Sequence, residues 1–216
     1  MLISGTDASS LLALRSLYAT STSIDRSLQR LSTGSRIPAA SFDPASLITS
    51  ENFRTVLAAL GTEVRAAERG EAVINTADAA LGEASGLLAE AEALVLANAN
   101  TAGLSDAERE ANQLSIDSIL ASVNRIAGST TFNGDALLDG TATVTVGGSS
   151  VDIIDAGTDA LGVTEIDGTV YTLSDIGAGA ALDTTGGNTE NALAVLEAAR
   201  VDLTTNRGRL GAFSSN

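Results

Sequence analysis

The sequence predicts a mainly α protein: a long antiparallel helical bundle or coiled-coil rod with a small β-hairpin insertion. Apolar residues recur at alternating spacings of three and four over long stretches, and one block of short alternating strands is marked by Gly-containing turns. Composition agrees, with 44% hydrophobic residues but only 3% aromatics. That apolar content is mostly Ala, Leu, Val and Ile, which suits helix-on-helix packing better than a pocket for a flat ligand.

The first helix is expected from Leu11 to Leu31, where Leu14, Leu17, Ser21, Ile24, Leu28 and Leu31 form a narrow apolar seam among Ser and Arg. Ser32, Thr33, Gly34 and Ser35 end it, and both prolines, Pro38 and Pro44, fall in the linker that follows. A second seam runs through Phe53, Leu57, Leu60, Val64 and Ala67. It then changes register to Ile74, Ala77, Leu81, Ala84, Leu88, Ala91 and Val95. Starting at Ser46 or Thr49 and stopping at the NANTAG stretch, this helix approaches 50 residues, or about 75 Å at the standard rise. Gly61, Gly70, Gly82 and Gly86 lie inside it, each costing up to about 1 kcal/mol, and close backbone approach would account for them.

Ser105 and Glu108 form a capping box for a third helix with the seam Ile116, Ile119, Val123 and Ile126. Gly128 is expected in the left-handed position after its last turn. The short connection places the second and third helices antiparallel. Between 141 and 187, TATVTV and VDII flank a GGSS turn, and VTEI and TVYTL flank Asp167-Gly168, predicting two small hairpins. A fourth helix starts near Asn188 or Thr189, with Ala192, Leu196, Ala199, Leu203, Asn206, Leu210 and Phe213 in 4, 3 order, still running as the chain reaches Asn216.

The same residues exclude much chemistry. The chain has no His, Cys, Lys or Trp, so the commonest zinc ligands, the usual general base, the thiolate nucleophile and the Schiff-base amine are all missing. GAGAAL (177–182) and TTGG (184–187) lack the lysine and the strand-turn-helix context of a phosphate loop. Asp152, Asp155 and Asp159 lack the alternate spacing and closing Glu of a calcium loop, and Glu90 and Glu92 diverge on a helix. No catalytic, cofactor-binding or metal-ligating residue is assigned, no cofactor is expected, and the chain is not expected to be an enzyme. The net charge is −15: residues 1–70 carry seven Arg against six acids, and 71–216 carry five against 21. Such a surface repels nucleic acid. The N-terminal stretch has no basic region, and Arg15 interrupts its apolar run, disfavouring a cleaved signal peptide and a membrane span.

Three stretches resemble bacterial flagellin: SIDRSLQRLSTGSRI (23–37) with FDPASLITSENFR (42–54); GLSDAEREANQLSIDSILASVNRIAGSTTFNGDALLDG (103–140); and LAVLEAARVDLTTNRGRLGAF (193–213). The resemblance implies that residues 1–40 belong to an inner tube-type domain, that 41–140 and 188–216 make a helical core domain, and that 141–187 is a short variable insertion. It further implies export without a cleaved leader to the extracellular bacterial flagellum. There the chain would form a helical homopolymer for motility, meeting the flagellar junction and cap proteins and an export chaperone. In the family a further helix follows the LGA element and pairs with the first helix; the resemblance in this chain runs as far as that element. Where flagellins seen by the Toll-like innate immune receptor carry Gln-Arg and a second Arg, this chain has Ala89, Glu90 and Glu92, which reverses the charge.

The expected self-assembly residues are Leu14, Leu17, Ile24, Leu28 and Leu31. A second set, Asn124, Arg125, Ile126, Gly128, Phe132, Asn133, Gly134, Leu137 and Leu138, is expected to form the corner between core rod and insertion. Two alternatives remain: a hook-filament junction protein of the same family, and a helical adaptor or secretion component that binds a partner helix.

Overall fold

The computed structural model describes residues 4–215, with side-chain surroundings from Ala8 onward. It contains four helices, α1 (Ser4–Thr33), α2 (Pro44–Asn98), α3 (Asp106–Ser129) and α4 (Thr189–Ser214). Three two-stranded antiparallel pairs accompany them: β1 (Thr131–Phe132) with β2 (Asp135–Ala136), β3 (Thr143–Val146) with β4 (Ser149–Asp152), and β5 (Thr164–Ile166) with β6 (Thr169–Tyr171). Short 3₁₀ turns at Leu173–Ile176 and Thr184–Gly186 complete the 141–187 segment. The chain divides into two compact units, Met1–Thr62 and Glu63–Asn216.

Helix α2 begins earlier than its apolar seam. Asp43 is its cap, Oδ1 accepting from the Ser46 N–H at 3.1 Å and Oδ2 from the Ser46 hydroxyl at 2.6 Å. Pro44 is therefore not a linker residue but the first helical residue, where its missing N–H costs nothing. Only Pro38 remains in the linker. Burial changes abruptly along the 55 residues of α2. Phe53, Leu57, Leu60 and Val64 are exposed, Gly70 is the first buried position, and Ile74, Ala77, Leu81, Ala84, Leu88, Ala91 and Val95 are at most 3% exposed. The register change in the seam thus coincides with the onset of the core. Of the helix glycines, Gly70 answers to a close approach: a Cβ there would lie 2.8 Å from Val146 Cγ2 and 3.1 Å from Val144 Cγ1, on β3. A Cβ at Gly82 would lie 3.6 Å from the Arg207 guanidinium, whereas at Gly61 and Gly86 it would meet nothing within 4 Å, so no close approach explains them.

The core lies in the second unit, where α2, α3, α4 and the 141–187 segment contribute to one apolar cluster. Asn98, at the end of α2, bonds to the Arg109 carbonyl and to Asn112 near the start of α3. At the other end, Arg69, Gly70 and Val73 of α2 line a groove with Phe132 and Leu137, just beyond α3. These two contacts make the helices antiparallel, as the short connection requires. Helix α4 also runs against α2: Arg200 pairs with Glu92, and Arg207 pairs with Asp78 at 2.7 Å. The Asp78 hydrogen bond raises the Arg207 pKa. Both side chains of that pair are 41% exposed, so it orients the helices more than it stabilises them. All seven positions of the α4 seam turn inward, six of them buried and Phe213 packed against the core edge.

The 141–187 segment is held by buried side chains as well as by hairpins. Val144, Val151, Ile153, Leu161, Leu173, Ile176 and Leu182 are all at most 6% exposed. The β3–β4 turn is Gly147-Gly148 and the β5–β6 turn Asp167-Gly168, each with positive φ at both residues, as two-residue hairpins of this hand require. The GGSS turn is thus tighter than expected, because Ser149 and Ser150 belong to β4. The two hairpins expected in 141–187 are both present, and a further small pair lies outside that stretch, where FNGD closes β1 onto β2.

A polar knot joins this segment to the helices. Gln113 Oε1 accepts from the Thr184 N–H at 3.0 Å and from its hydroxyl, and Gln113 Nε2 donates to the Ile176 carbonyl at 2.7 Å. Asn98 Nδ2 donates to Thr184 Oγ1 at 2.8 Å. Asn98, Gln113 and Thr184 are at most 2% exposed. Thr184→Val keeps the shape but leaves buried amide groups of Asn98 and Gln113 short of a partner. We expect a loss of about 1–3 kcal/mol in urea unfolding.

Candidate self-assembly surface and corner motif

Along α1 four hydroxyls bond back to the helix's own backbone. Ser16 Oγ donates to the Ala13 carbonyl at 2.9 Å, Thr22 Oγ1 to Tyr18 at 2.8 Å, Ser27 Oγ to Ser23 at 2.9 Å and Thr33 Oγ1 to Gln29 at 2.7 Å. These four hydroxyls therefore need no outside partner, and the apolar side chains of the seam are left uncovered. Every residue from Ala8 to Thr33 is exposed, and Leu14, Leu17, Ile24, Leu28 and Leu31 are between 51% and 82% exposed. Leu11, Leu12 and Tyr18, outside the expected seam residues, are exposed as well. In the same unit Phe53, Val56, Leu57 and Leu60 of α2 are at least 50% exposed. At about 1.5–3 kcal/mol per large apolar side chain, burying the five α1 residues would release on the order of 10 kcal/mol before association costs. After α1, Arg26 and Arg30 lie over the Phe42 ring at 5.9 and 5.5 Å, which ties the linker back to the last turns of the helix.

The corner residues divide by task. Asn124 reaches across to the segment beyond β4: its Nδ2 donates to Thr158 Oγ1 at 2.8 Å, and its Oδ1 accepts from the Thr158 N–H at 2.9 Å. The Ile126 carbonyl accepts both the Thr130 N–H at 3.0 Å and the Thr130 hydroxyl at 2.6 Å. That double bond stops α3, and it corrects the expected role of Gly128. Gly128 stays helical without positive φ, the helix runs on to Ser129, and the cap is Thr130 in extended conformation. Asn133 (φ 55°) and Gly134 (φ 96°) make the β1–β2 turn. Phe132 packs against the core edge, while Leu137 and Leu138 are buried at 4% and 1% exposure. Leu138 also accepts the Ala156 N–H at 3.0 Å, and Asp139 bridges to Asp155, so the corner is stitched to the segment after β4. The Asp139 carboxylate accepts from the Thr141 N–H and hydroxyl, which hold its pKa below the usual carboxylate range. Arg125 and Gly128 are exposed.

Asn124→Ala removes both bonds to Thr158 and should cost about 1–3 kcal/mol in thermal or urea unfolding. Arg125→Ala, at an exposed position, should stay within about 0.5 kcal/mol of the parent.

The acidic residues have local duties. Asp152 Oδ1 accepts from the Thr143 hydroxyl, Asp155 Oδ1 from the Gly157 N–H, and Asp202 Oδ2 from the Gly162 N–H. Among the described residues no three His, Cys, Asp or Glu side chains are grouped to hold a metal ion, and no helix is long and apolar enough to cross a membrane. Sequence reasoning did not find the Asn124–Thr158 link or the Asn98–Gln113–Thr184 knot. The pairs lie 34, 71 and 86 residues apart, and no local pattern signals them.

Residues 5–143 match the family described as the bacterial flagellin N-terminal helical region. The B-type flagellin of Pseudomonas aeruginosa is 37% identical over 153 residues, covering 69% of this chain and 31% of that protein. The flagellin of Bacillus subtilis is 29% identical over 228 residues, covering 94% of this chain and 75% of its own length. The chain thus spans under a third of the length of the Pseudomonas relative. The crystal structure of Bacillus cereus flagellin has a similar fold, with a TM-score of 0.53 at 21% identity over 69% of this chain and 82% of that one. The chain belongs to the bacterial flagellin family.

Proposed function

We propose that the protein is a structural, non-catalytic subunit of the bacterial flagellar filament. It assembles with copies of itself in the extracellular flagellum, for motility. The observation that carries this reading is the apolar stripe Leu14, Leu17, Ile24, Leu28 and Leu31, all exposed on one helix. A stripe of that length costs solubility unless another helix covers it. Contacts that repeat head to tail without closing give a filament rather than a ring.

In this reading residues 1–40 contribute to the inner tube, 41–140 and 188–216 to the rod of the core domain, and 141–187 to a short variable element. The flagellar junction and cap proteins and an export chaperone are its proposed partners. Sedimentation velocity over rising concentration, with electron microscopy of the pelleted material, tests the reading. Concentration-dependent polymers with helical order are expected. A chain that stays monomeric at every concentration and captures only a foreign helix would make it an adaptor, and a single layer of the protein at the hook would make it a junction protein.

A further inference from the structure

We propose that the Asp43–Pro44 peptide bond is a latent acid-cleavage site, restrained by the cap of α2, at which the chain severs α1 from the rest of itself. The sequence holds a single Asp-Pro pair, and the structure places it in an exposed position at the start of α2. The bond combines two chemical features. Its nitrogen belongs to a tertiary amide with no N–H, and proline is a more readily expelled amine than an ordinary secondary amide provides. Its carbonyl carbon lies within reach of its own residue's side-chain carboxylate, a tethered nucleophile of high effective concentration.

The step balances with water as the only co-reactant. A carboxylate oxygen of Asp43 attacks the Asp43 backbone carbonyl carbon and forms a five-membered anhydride. The carbon–nitrogen bond to Pro44 breaks, and the electron pair leaves on the proline nitrogen, which takes a proton from the acidic solvent. Water then opens the anhydride, restoring the side-chain carboxyl and leaving a new terminal carboxyl on Asp43. One water is consumed, nothing is oxidised or reduced, and the products are residues 1–43 and 44–216.

The fold controls the nucleophile. Both carboxylate oxygens are turned forward along the chain, Oδ2 toward the Ser46 hydroxyl at 2.6 Å and Oδ1 toward the Ser46 N–H at 3.1 Å. An oxygen engaged in the cap is not free to turn back onto its own carbonyl. The same two bonds, with a smaller contribution from the Arg36 charge, hold the Asp43 pKa below its ordinary value, so the ionised nucleophile persists into acid. Arg26 and Arg30 lie over the neighbouring Phe42 ring, and farther along α2 Glu51 is paired with Arg54 at 2.7 Å. The cut would detach the α1 stripe while leaving the buried part of α2, which starts at Gly70, in the larger fragment. That functional consequence rests on the proposed assembly reading; the cleavage itself does not.

The test is intact-mass spectrometry of the full chain held at neutral pH and below about pH 3, beneath the ordinary Asp pKa, with and without urea. Acid should yield two products with the masses of residues 1–43 and 44–216, and neutral pH none. Asp43→Asn and Pro44→Ala should each suppress them, with circular dichroism confirming that both variants are helical. Ser46→Ala should cleave about 2- to 10-fold faster than the parent while the chain is folded, the factor expected from freeing one hydrogen-bonded oxygen, and at the parent's rate in urea. Absence of these fragments, cleavage of Asp43→Asn at the parent's rate, or no acceleration by Ser46→Ala in the folded chain would overturn the proposal. Sedimentation of the uncleaved chain reads the assembly hypothesis separately.

Discussion

Leu17→Asp combined with Leu28→Asp is expected to abolish the proposed concentration-dependent self-association while leaving the folded core intact. Both leucines are exposed in the single chain, at 66% and 57%, so replacing them breaks no internal packing. At an interface each contributes about 1.5–3 kcal/mol, so losing both weakens a subunit contact by about 10²- to 10⁴-fold, before the cost of burying two unpaired carboxylates. Sedimentation velocity should show a species that remains monomeric where the parent polymerises, with an unchanged thermal midpoint for the core. Ser23→Asp, on the same helix but outside the seam, is the control and should assemble as the parent does.

Gly162→Ala is expected to be the most damaging methyl group that can be added to the core. Gly162 has φ +69°, and a Cβ there would sit 2.5 Å from the Val195 carbonyl oxygen and 3.1 Å from the Ala199 side chain on α4. Its N–H also donates to Asp202 Oδ2 at 3.1 Å, so the loop cannot retreat without breaking a bond to the same helix. The left-handed backbone costs an L-residue about 1–2 kcal/mol and overpacking about 1–3 kcal/mol, for a total of about 2–5 kcal/mol. For a chain of this size that lowers the thermal midpoint by about 5–15 °C. Gly168→Ala separates the two contributions, since Gly168 has φ +78° but nothing within 4 Å of the added carbon. It should lose only the backbone share.

Much of the architecture was legible because helical seams are local. The register change between Ala67 and Ile74 marks the point where α2 passes from exposed to buried, and the 4, 3 order of the α4 seam points all its members inward. Asp167-Gly168 announced its hairpin because two positive φ values in succession demand such residues. Local competition hid other features. Pro44 reads as a linker residue until Asp43 is recognised as the cap before it, and Gly128 reads as a helix stop although the Thr130 hydroxyl takes the Ile126 carbonyl two residues later. The β1–β2 pair around FNGD was not legible, because two residues on each side leave no alternation to detect.

The stripe on α1 lies on a helix, as its spacing predicts. Its partner was beyond the reach of periodicity, which shows that a face needs covering but not what covers it. The proposed partner, other copies of the chain, comes from the family resemblance. The corner motif shows the converse: its residue types were informative, yet the meaning of Asn124 emerged only when Thr158, 34 residues away, was found bonded to it.

Hydrogen–deuterium exchange, measured on dilute monomer and on assembled material, tests the central claim most directly. Amides of residues 8–33 should exchange rapidly in the monomer, where every side chain is exposed, and become strongly protected on assembly, while those of residues 74–95 stay protected in both. Protection of 8–33 in the dilute monomer, or no gain of protection there in the polymer, would contradict the account.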